Sequence, residues 1–261
     1  MVSVIFPAAG QGKRMQAGMN KVFMSLGDVP ILVRTLIKFS QCEAVDQLVI
    51  VVAPYETELV RNFLGKIPNL KPWQVVAGGT ERQYSVMNGI MATPADSQII
   101  LVHDAARPLV SNDTILEVIN KAQTQGAAIA AVPAKNTIKV CEYGKVTDTP
   151  DRNLLWEVQT PQGFQRELLL KAYRQAVNTN FLGTDDASLV EKAGYPVYLV
   201  KSDYANIKIT TPEDIVIAEA LIQAEGEWPS IQAVYQEKSP RFFANMSKKI
   251  FNELQEKEDK S

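Results

Sequence analysis

The chain has 261 residues, with 27 Lys and Arg against 29 Asp and Glu, two cysteines, one histidine and 46% hydrophobic residues. The single His103 excludes a zinc centre of several imidazoles and an H-E-x-x-H protease helix, while Cys42 and Cys141, in no C-x-x-C pair, support neither a disulfide scaffold nor a dithiol motif. A net charge of −2 gives no general attraction for nucleic acid or an anionic membrane.

No apolar run approaches the roughly 20 residues that cross a bilayer. The N-terminal MVSVIFPAAG lacks the basic n-region of a signal peptide. A cytoplasmic globular protein that engages neither nucleic acid nor membrane is therefore expected.

Val2–Phe6 opens the chain as a nearly continuous β-branched run, the pattern of a strand buried on both faces. Pro30–Phe39 predicts a helix, with Ile31, Leu32, Leu36 and Phe39 on one face and Pro30 where its missing N–H costs nothing. The alternation repeats, with strands at Leu48–Val52, Gln74–Val76, Ile99–Val102 and Ala127–Val132. Helices are expected at Glu56–Leu64, Glu81–Met91 and Asn112–Gln125, the last capped by Ser111 or Asn112 and stopped by Gly126. Strand, crossover helix and strand in succession predict an α/β fold, a parallel sheet flanked by helices, with ligands beyond the carboxyl ends of its strands.

Thr137–Cys141 and Lys145–Thr149 flank a Glu142-Tyr143-Gly144 turn and predict a hairpin. It has too little apolar content to stand alone and needs a partner subunit or its own core. A helix after Gly163, a helix over Asp185–Ala193, a strand over Val197–Val200 and a helix over Pro212–Gln223 resume the α/β pattern. Residues 1–225 thus form one domain, including an arm at about 135–158. Residues 226–261 form an extension in which Phe242, Phe243, Met246, Ile250 and Leu254 make a helical stripe expected to dock on a dimer or neighbouring surface.

Pro7-Ala8-Ala9-Gly10-Gln11-Gly12-Lys13-Arg14-Met15 follows the first strand. Its small residues let backbone N–H groups approach phosphate oxygens. It is not a dinucleotide fingerprint, which needs Gly at Met15, nor a Walker loop, which needs Ser or Thr after Lys13 and Gly at Pro7. Lys13, Arg14 and Lys21 bring cations suited to a triphosphate that loses pyrophosphate; the bland reading is a glycine turn with solvated basic residues.

His103-Asp104-Ala105-Ala106-Arg107 ends another strand. Asp104 can bind a hydroxyl or Mg²⁺, and Arg107 can clamp an anion. The alternative is an Asp–Arg pair holding a turn, with His103 packed rather than acting as a base. Farther on, Arg152 and Thr160 can bind a phosphate together, whereas Trp156 and Phe164 pack. Thr184-Asp185-Asp186-Ala187-Ser188 reads as a helix N-cap with an acidic first turn. Asn206–Asp214 presents Lys208, then caps a helix through Thr210 or Thr211 with Pro212 at its start.

Together PAAGQGKRM with Lys21, GGTERQYSV, VHDAARP, the DR–LW–QTPQ–F block, TDDASLVE and NIKITTPED resemble the 2-C-methyl-D-erythritol 4-phosphate cytidylyltransferase family, from about Val2 to Ile222. The resemblance implies a Rossmann-like, GT-A-like nucleotidyltransferase fold that makes a CDP-alcohol from CTP and a methylerythritol phosphate, with Mg²⁺ held mainly by the CTP phosphates and Asp104 a possible ligand. Arg14 and Lys21 would stabilise the transition state at the α-phosphate. Pro7, Ala8, Ala9, Gly10, Gly78 and Ser85 would hold the cytidine nucleotide.

Arg152 and Lys208 would position the sugar-alcohol phosphate, with Asp104, Arg107, Thr137 and Thr160 completing that pocket. The hairpin arm would build a homodimer, so that Thr137, Arg152 and Thr160 serve the neighbouring site. Competing readings are a ribitol-5-phosphate cytidylyltransferase, a sugar-1-phosphate nucleotidyltransferase and a non-catalytic nucleotide-binding module. The tail, without a histidine, cannot be a fused cyclodiphosphate synthase.

Overall fold

In the computed structural model, which describes residues 1–10 and 20–226, the elements are in chain order β1 (Val2–Pro7), β2 (Ser25–Leu26), β3 (Val29–Pro30), α1 (Ile31–Gln41), β4 (Gln47–Val52), α2 (Thr57–Leu64), β5 (Trp73–Ala77), α3 (Arg82–Ala92) and β6 (Ile99–Val102). They continue with α4 (Asn112–Gln125), β7 (Ala127–Pro133), β8 (Val140–Glu142), β9 (Lys145–Asp148), β10 (Trp156–Gln165), α5 (Arg166–Asn178), α6 (Asp186–Lys192), β11 (Tyr198–Lys201) and α7 (Pro212–Glu225). The residues expected to form the C-terminal stripe, like Arg14, lie outside the described residues.

Seven strands make one sheet in the order β11-β7-β10-β6-β1-β4-β5. The parallel α/β expectation holds for β1, β4, β5, β6, β7 and β11, while β10 runs antiparallel between β6 and β7. Alternate residues of the continuous apolar runs enter two separate cores. Val4, Phe6, Leu48, Ile50 and Leu101 pack with α1, α2, α4 and α7, whereas Ile5, Val49, Val51, Ile100 and Val102 pack with α3, α5 and α6. Two helical layers thus cover the sheet, and an unbroken hydrophobic run is what two covered faces require.

Helix ends follow the expected chemistry. Ser111 caps α4 by accepting from Thr114 N–H, and Asp185 caps α6 by accepting from Ser188 N–H. Thr211 is the N-cap residue of α7, its backbone N–H donating to Asp214 Oδ2 at 2.9 Å, with Pro212 in the first turn.

The hairpin forms from β8 and β9, with Tyr143 and Gly144 both at positive φ, 49° and 78°, as a two-residue turn demands. All residues of both strands are exposed.

The sheet changes winding direction between β1 and β6: from β1 the chain runs outward through β4 to β5, then returns to add β6 on β1's other side. Such a switch opens a crevice at the carboxyl ends of the two strands.

Candidate active site

A cavity of about 260 Å³ lies at that switch point. Pro7, Ala8, Ala9 and Gly10 line it from the end of β1, and Asp104, Ala105 and Ala106 from the end of β6. Asn20, Lys21, Val22, Gly79, Thr80, Glu81, Arg82, Ser85 and Lys208 complete the wall.

Local bonds fix the β1 side. Ala8 N–H donates to Val51 O at 2.7 Å, and buried Asn20 donates through Nδ2 to Ala8 O at 2.5 Å. Asn20 also caps the short 3-10 turn Lys21–Phe23, so one side chain ties Lys21 to the Ala8 backbone. Gly78 must be small: a Cβ there would sit 2.8 Å from both Ala9 Cβ and Ser85 Oγ. Ser85, on α3, accepts from Gly79 N–H at 3.1 Å and closes this turn.

The β6 side is an ionic cluster. Asp104 Oδ2 lies 2.9 Å from Lys208 Nζ and 3.3 Å from Arg107 Nε. Burial alone would raise the Asp104 carboxyl, but Lys208 and Arg107 beside it prevail and hold it well below the usual carboxylate range. Arg107 also donates through Nη1 to Asn206 O at 2.7 Å. Burial lowers its guanidinium from the ordinary arginine value against the pull of Asp104.

His103 is fully buried, tilted against Phe39 at 4.6 Å between ring centroids. Its Nε2 lies 3.0 Å from Arg107 O, which can only accept, so Nε2 carries the proton. Nδ1 therefore accepts from Thr160 Oγ1 at 3.2 Å, and Thr160 Oγ1 accepts in turn from Asp104 N–H at 3.0 Å. Burial pulls the imidazole down to about 3. The packed reading of His103 is the one the structure supports.

The cavity gathers Pro7, Ala8, Ala9, Gly10, Lys21, Ser85, Asp104 and Lys208, with Gly78 packed behind Ala9 and Ser85. Four expected contact residues do not line it. Arg107 contacts Asp104 and Asn206, the turn-holding pair that was the alternative to an anion clamp. The Thr160 hydroxyl is engaged by His103 and Asp104, so it braces the loop instead of facing the cavity of its own chain. Thr137 and Arg152 are exposed at the arm, where Arg152 Nη1 donates to Lys135 O at 3.0 Å.

Residues given no functional role from sequence also join the site. Asn20 and Arg82 line the cavity, and buried Asp186 turns inward to Arg82 Nη2 at 2.8 Å and to the Tyr173 hydroxyl. Burial opposes the Arg82 charge, but Asp186 more than restores it and raises the guanidinium above its ordinary value. Arg82 and Asp186 lie inside motifs already noted, GGTERQYSV and TDDASLVE. The signal was present, but a first-turn acid reads the same whether it faces solvent or a partner 104 residues away.

Among the described residues no group of three or more His, Cys, Asp or Glu is placed to hold a metal ion. No helix there is long and apolar enough to cross a membrane.

The sequence model of the 2-C-methyl-D-erythritol 4-phosphate cytidylyltransferase family matches residues 2–224. The chain is 48% identical over 225 residues to the protein of that name from Bacillus cereus, covering 86% of this chain and 99% of the relative. It is 46% identical over 224 residues to that from Caldanaerobacter subterraneus subsp. tengcongensis, covering 85% and 99%. The fold superposes on the crystal structure of the 4-diphosphocytidyl-2C-methyl-D-erythritol synthase from Anaerococcus prevotii with a TM-score of 0.74, at 31% identity, covering 85% of this chain and 98% of the other.

Proposed function

The chain belongs to the 2-C-methyl-D-erythritol 4-phosphate cytidylyltransferase family, and we propose that its cleft joins the cytidylyl group of CTP to 2-C-methyl-D-erythritol 4-phosphate. The products are 4-diphosphocytidyl-2-C-methyl-D-erythritol and pyrophosphate, on the non-mevalonate route to isoprenoid precursors. One observation carries the assignment of residues: stretches far apart in the chain bring Pro7–Gly10, Lys21, Ser85, Asp104 and Lys208 to a single cavity at the switch point of the sheet.

The reaction needs little from the protein beyond charge and alignment. A phosphate monoester has its second pKa near 6, so at pH 7 the attacking oxygen is mostly unprotonated and needs no general base. That oxygen attacks the α-phosphorus of CTP in line, the bond to the bridging oxygen breaks, and the electron pair leaves with pyrophosphate. Lys21, with Arg14, stabilises the charge on the α-phosphate and the departing group. The narrow turn of Pro7–Gly10, Gly78 and Ser85 holds the nucleotide.

Lys208, held in place by Asp104, receives the phosphate of the sugar alcohol. Arg107 and Thr160 shape this side from behind, one fixing Asp104 and the other fixing its loop. His103, neutral and sealed, takes no part in proton transfer.

A Mg²⁺ ion would arrive on the CTP phosphates, and Asp104 in the cavity wall is the carboxylate that would meet it. The ion would supply charge neutralisation on phosphate oxygens.

Thr137 and Arg152 serve the neighbouring subunit of a homodimer. Supporting this, they do not line their own chain's cavity and sit on an arm that buries almost nothing, with Val140, Val146, Tyr143 and Leu154 exposed. A two-stranded hairpin of that kind is marginal in water without a partner. The unpaired thiols of Cys42 and Cys141 suit the reducing cytoplasm.

Pyrophosphate release from CTP with methylerythritol 4-phosphate and, separately, with ribitol 5-phosphate tests the substrate. Turnover of methylerythritol phosphate is expected, and turnover of ribitol phosphate alone would overturn the proposal.

A further inference from the structure

Thr160 lies in a β-bulge, where the pairing of β10 with β7 stops at Val158 opposite Ala131 and resumes at Gln162 opposite Ile129. Residues 159–161 thus have no ladder partner on β7, and a buried carbonyl left without a donor is destabilising. Asn206 supplies the missing donor. Its Nδ2 donates to Thr160 O and to Gln159 Oε1, each at 2.9 Å. Asn206 is fully buried, and its Oδ1 meets no donor, so the two N–H groups alone set the orientation of the carboxamide.

The same residue works from its backbone. Asn206 O accepts from Arg107 Nη1, and Arg107 holds Asp104. Two residues on is Lys208, whose ammonium pairs with Asp104 in the cavity wall. Ile209 N–H then donates to Ala106 O at 2.9 Å. Lys208 is therefore suspended between two anchors, the buried Asn206 before it and the Ile209–Ala106 bond after it.

Turn bonds from Asp203 brace the Asn206 side: Ala205 N–H donates to Asp203 Oδ1 at 2.8 Å, and Gln159 Nε2 to Asp203 O at 3.1 Å. Lys208 itself is partly exposed, with a long side chain whose position is worth little unless its backbone is fixed.

We infer that Asn206 is a positioning residue: by pinning its chain to the bulge of β10 it sets where the Lys208 ammonium meets the alcohol phosphate. The inference rests on the assignment of Lys208 to that phosphate. Loss of the carboxamide should loosen the Lys208 segment while leaving the nucleotide side, built on β1 and α3, as it was.

The test is a double-substitution cycle on the full chain, reading steady-state pyrophosphate release with each substrate varied in turn. Asn206→Ala is expected to raise KM for methylerythritol 4-phosphate about tenfold with KM for CTP changed less than about twofold. In a Lys208→Ala background the same substitution should change kcat/KM for the phosphoalcohol less than about twofold, because the group it positions is gone. Asn206→Ser, which keeps one donor, carries the same cycle if the alanine variant fails to fold, with a smaller rise expected.

A merely structural role would raise both KM values together. That result, or additive effects in the cycle, would overturn the inference while leaving the activity in place. Absence of turnover by the unchanged enzyme would overturn the functional reading and the inference with it.

Discussion

Lys21 lines the cavity and His103 is sealed from it, so substituting each separates chemistry from stability. Lys21→Ala is expected to abolish pyrophosphate release with the denaturation midpoint nearly unchanged. His103→Ala should cost roughly 2–4 kcal/mol of stability, through a lost ring in a packed core and an unpaired Thr160 hydroxyl, and far less activity at a temperature where it is folded. A loss of turnover in the folded His103 variant equal to that of the Lys21 variant would contradict the base-free mechanism.

The same histidine sets a pH dependence. Burial holds it at about 3 in the folded chain against an unperturbed 6.5, so between those values the unfolded chain carries a proton that the folded chain lacks. Stability from this group is full above pH 6.5 and is lost as pH falls toward 3. The Asp104 carboxyl, also held low, adds to acid loss only below its ordinary 3.8. Midpoints in metal-free buffer should fall from pH 7 to 4.5, and His103→Asn should flatten that slope. An unchanged slope would mean that His103 is not the titrating group.

Among the elements, β1, β4, β6 and β7 were legible because two covered faces leave no room for polar alternation, and each appears in the sequence as a β-branched or alanine-rich run. β10 was not. Gln159, Thr160, Pro161, Gln162 and Gly163 carry no strand pattern, and the block reads as a ligand site. It is a central strand nonetheless, because its buried polar groups are paired by distant residues: Gln162 donates to Asp185 Oδ2 at 2.7 Å and accepts from Ala187 N–H at 3.1 Å. Such partners are invisible to local periodicity, and for the same reason nothing local sets Asn206 or Asp186 apart within its motif. The cavity residues just after β1 and β6 were legible for the opposite reason, since strand ends at a switch point can be located from element order alone.

α7 ends at Glu225, one residue past the end of the family match at 224, and carries Val216 and Ile217 exposed on its surface. The apolar stripe expected at 242–254 is a candidate to cover such a surface on the dimer or nearby. Deletion of residues 226–261 should therefore lower the denaturation midpoint or reduce the assembly size by sedimentation. A truncated chain unchanged in both would show that the extension docks nowhere.

At the scale of the whole molecule, the cavity of one chain and the arm of that chain are separate places, and the proposed dimer makes them one site. Each composite site would use Lys21 from one subunit and Arg152 from the other. A Lys21→Ala subunit and an Arg152→Ala subunit would each be inactive in their own homodimers. In a mixed dimer, however, the Arg152 variant supplies an intact Lys21 and the Lys21 variant supplies an intact Arg152, so one of the two sites is whole. Random mixing puts about half the molecules in mixed dimers with half their sites restored, so about a quarter of the unchanged activity should return when the two inactive proteins are co-refolded in equal amounts. If Arg152 instead served the cavity of its own chain, every subunit in the mixture would lack one essential cation, and the mixed sample would stay as inactive as its parents.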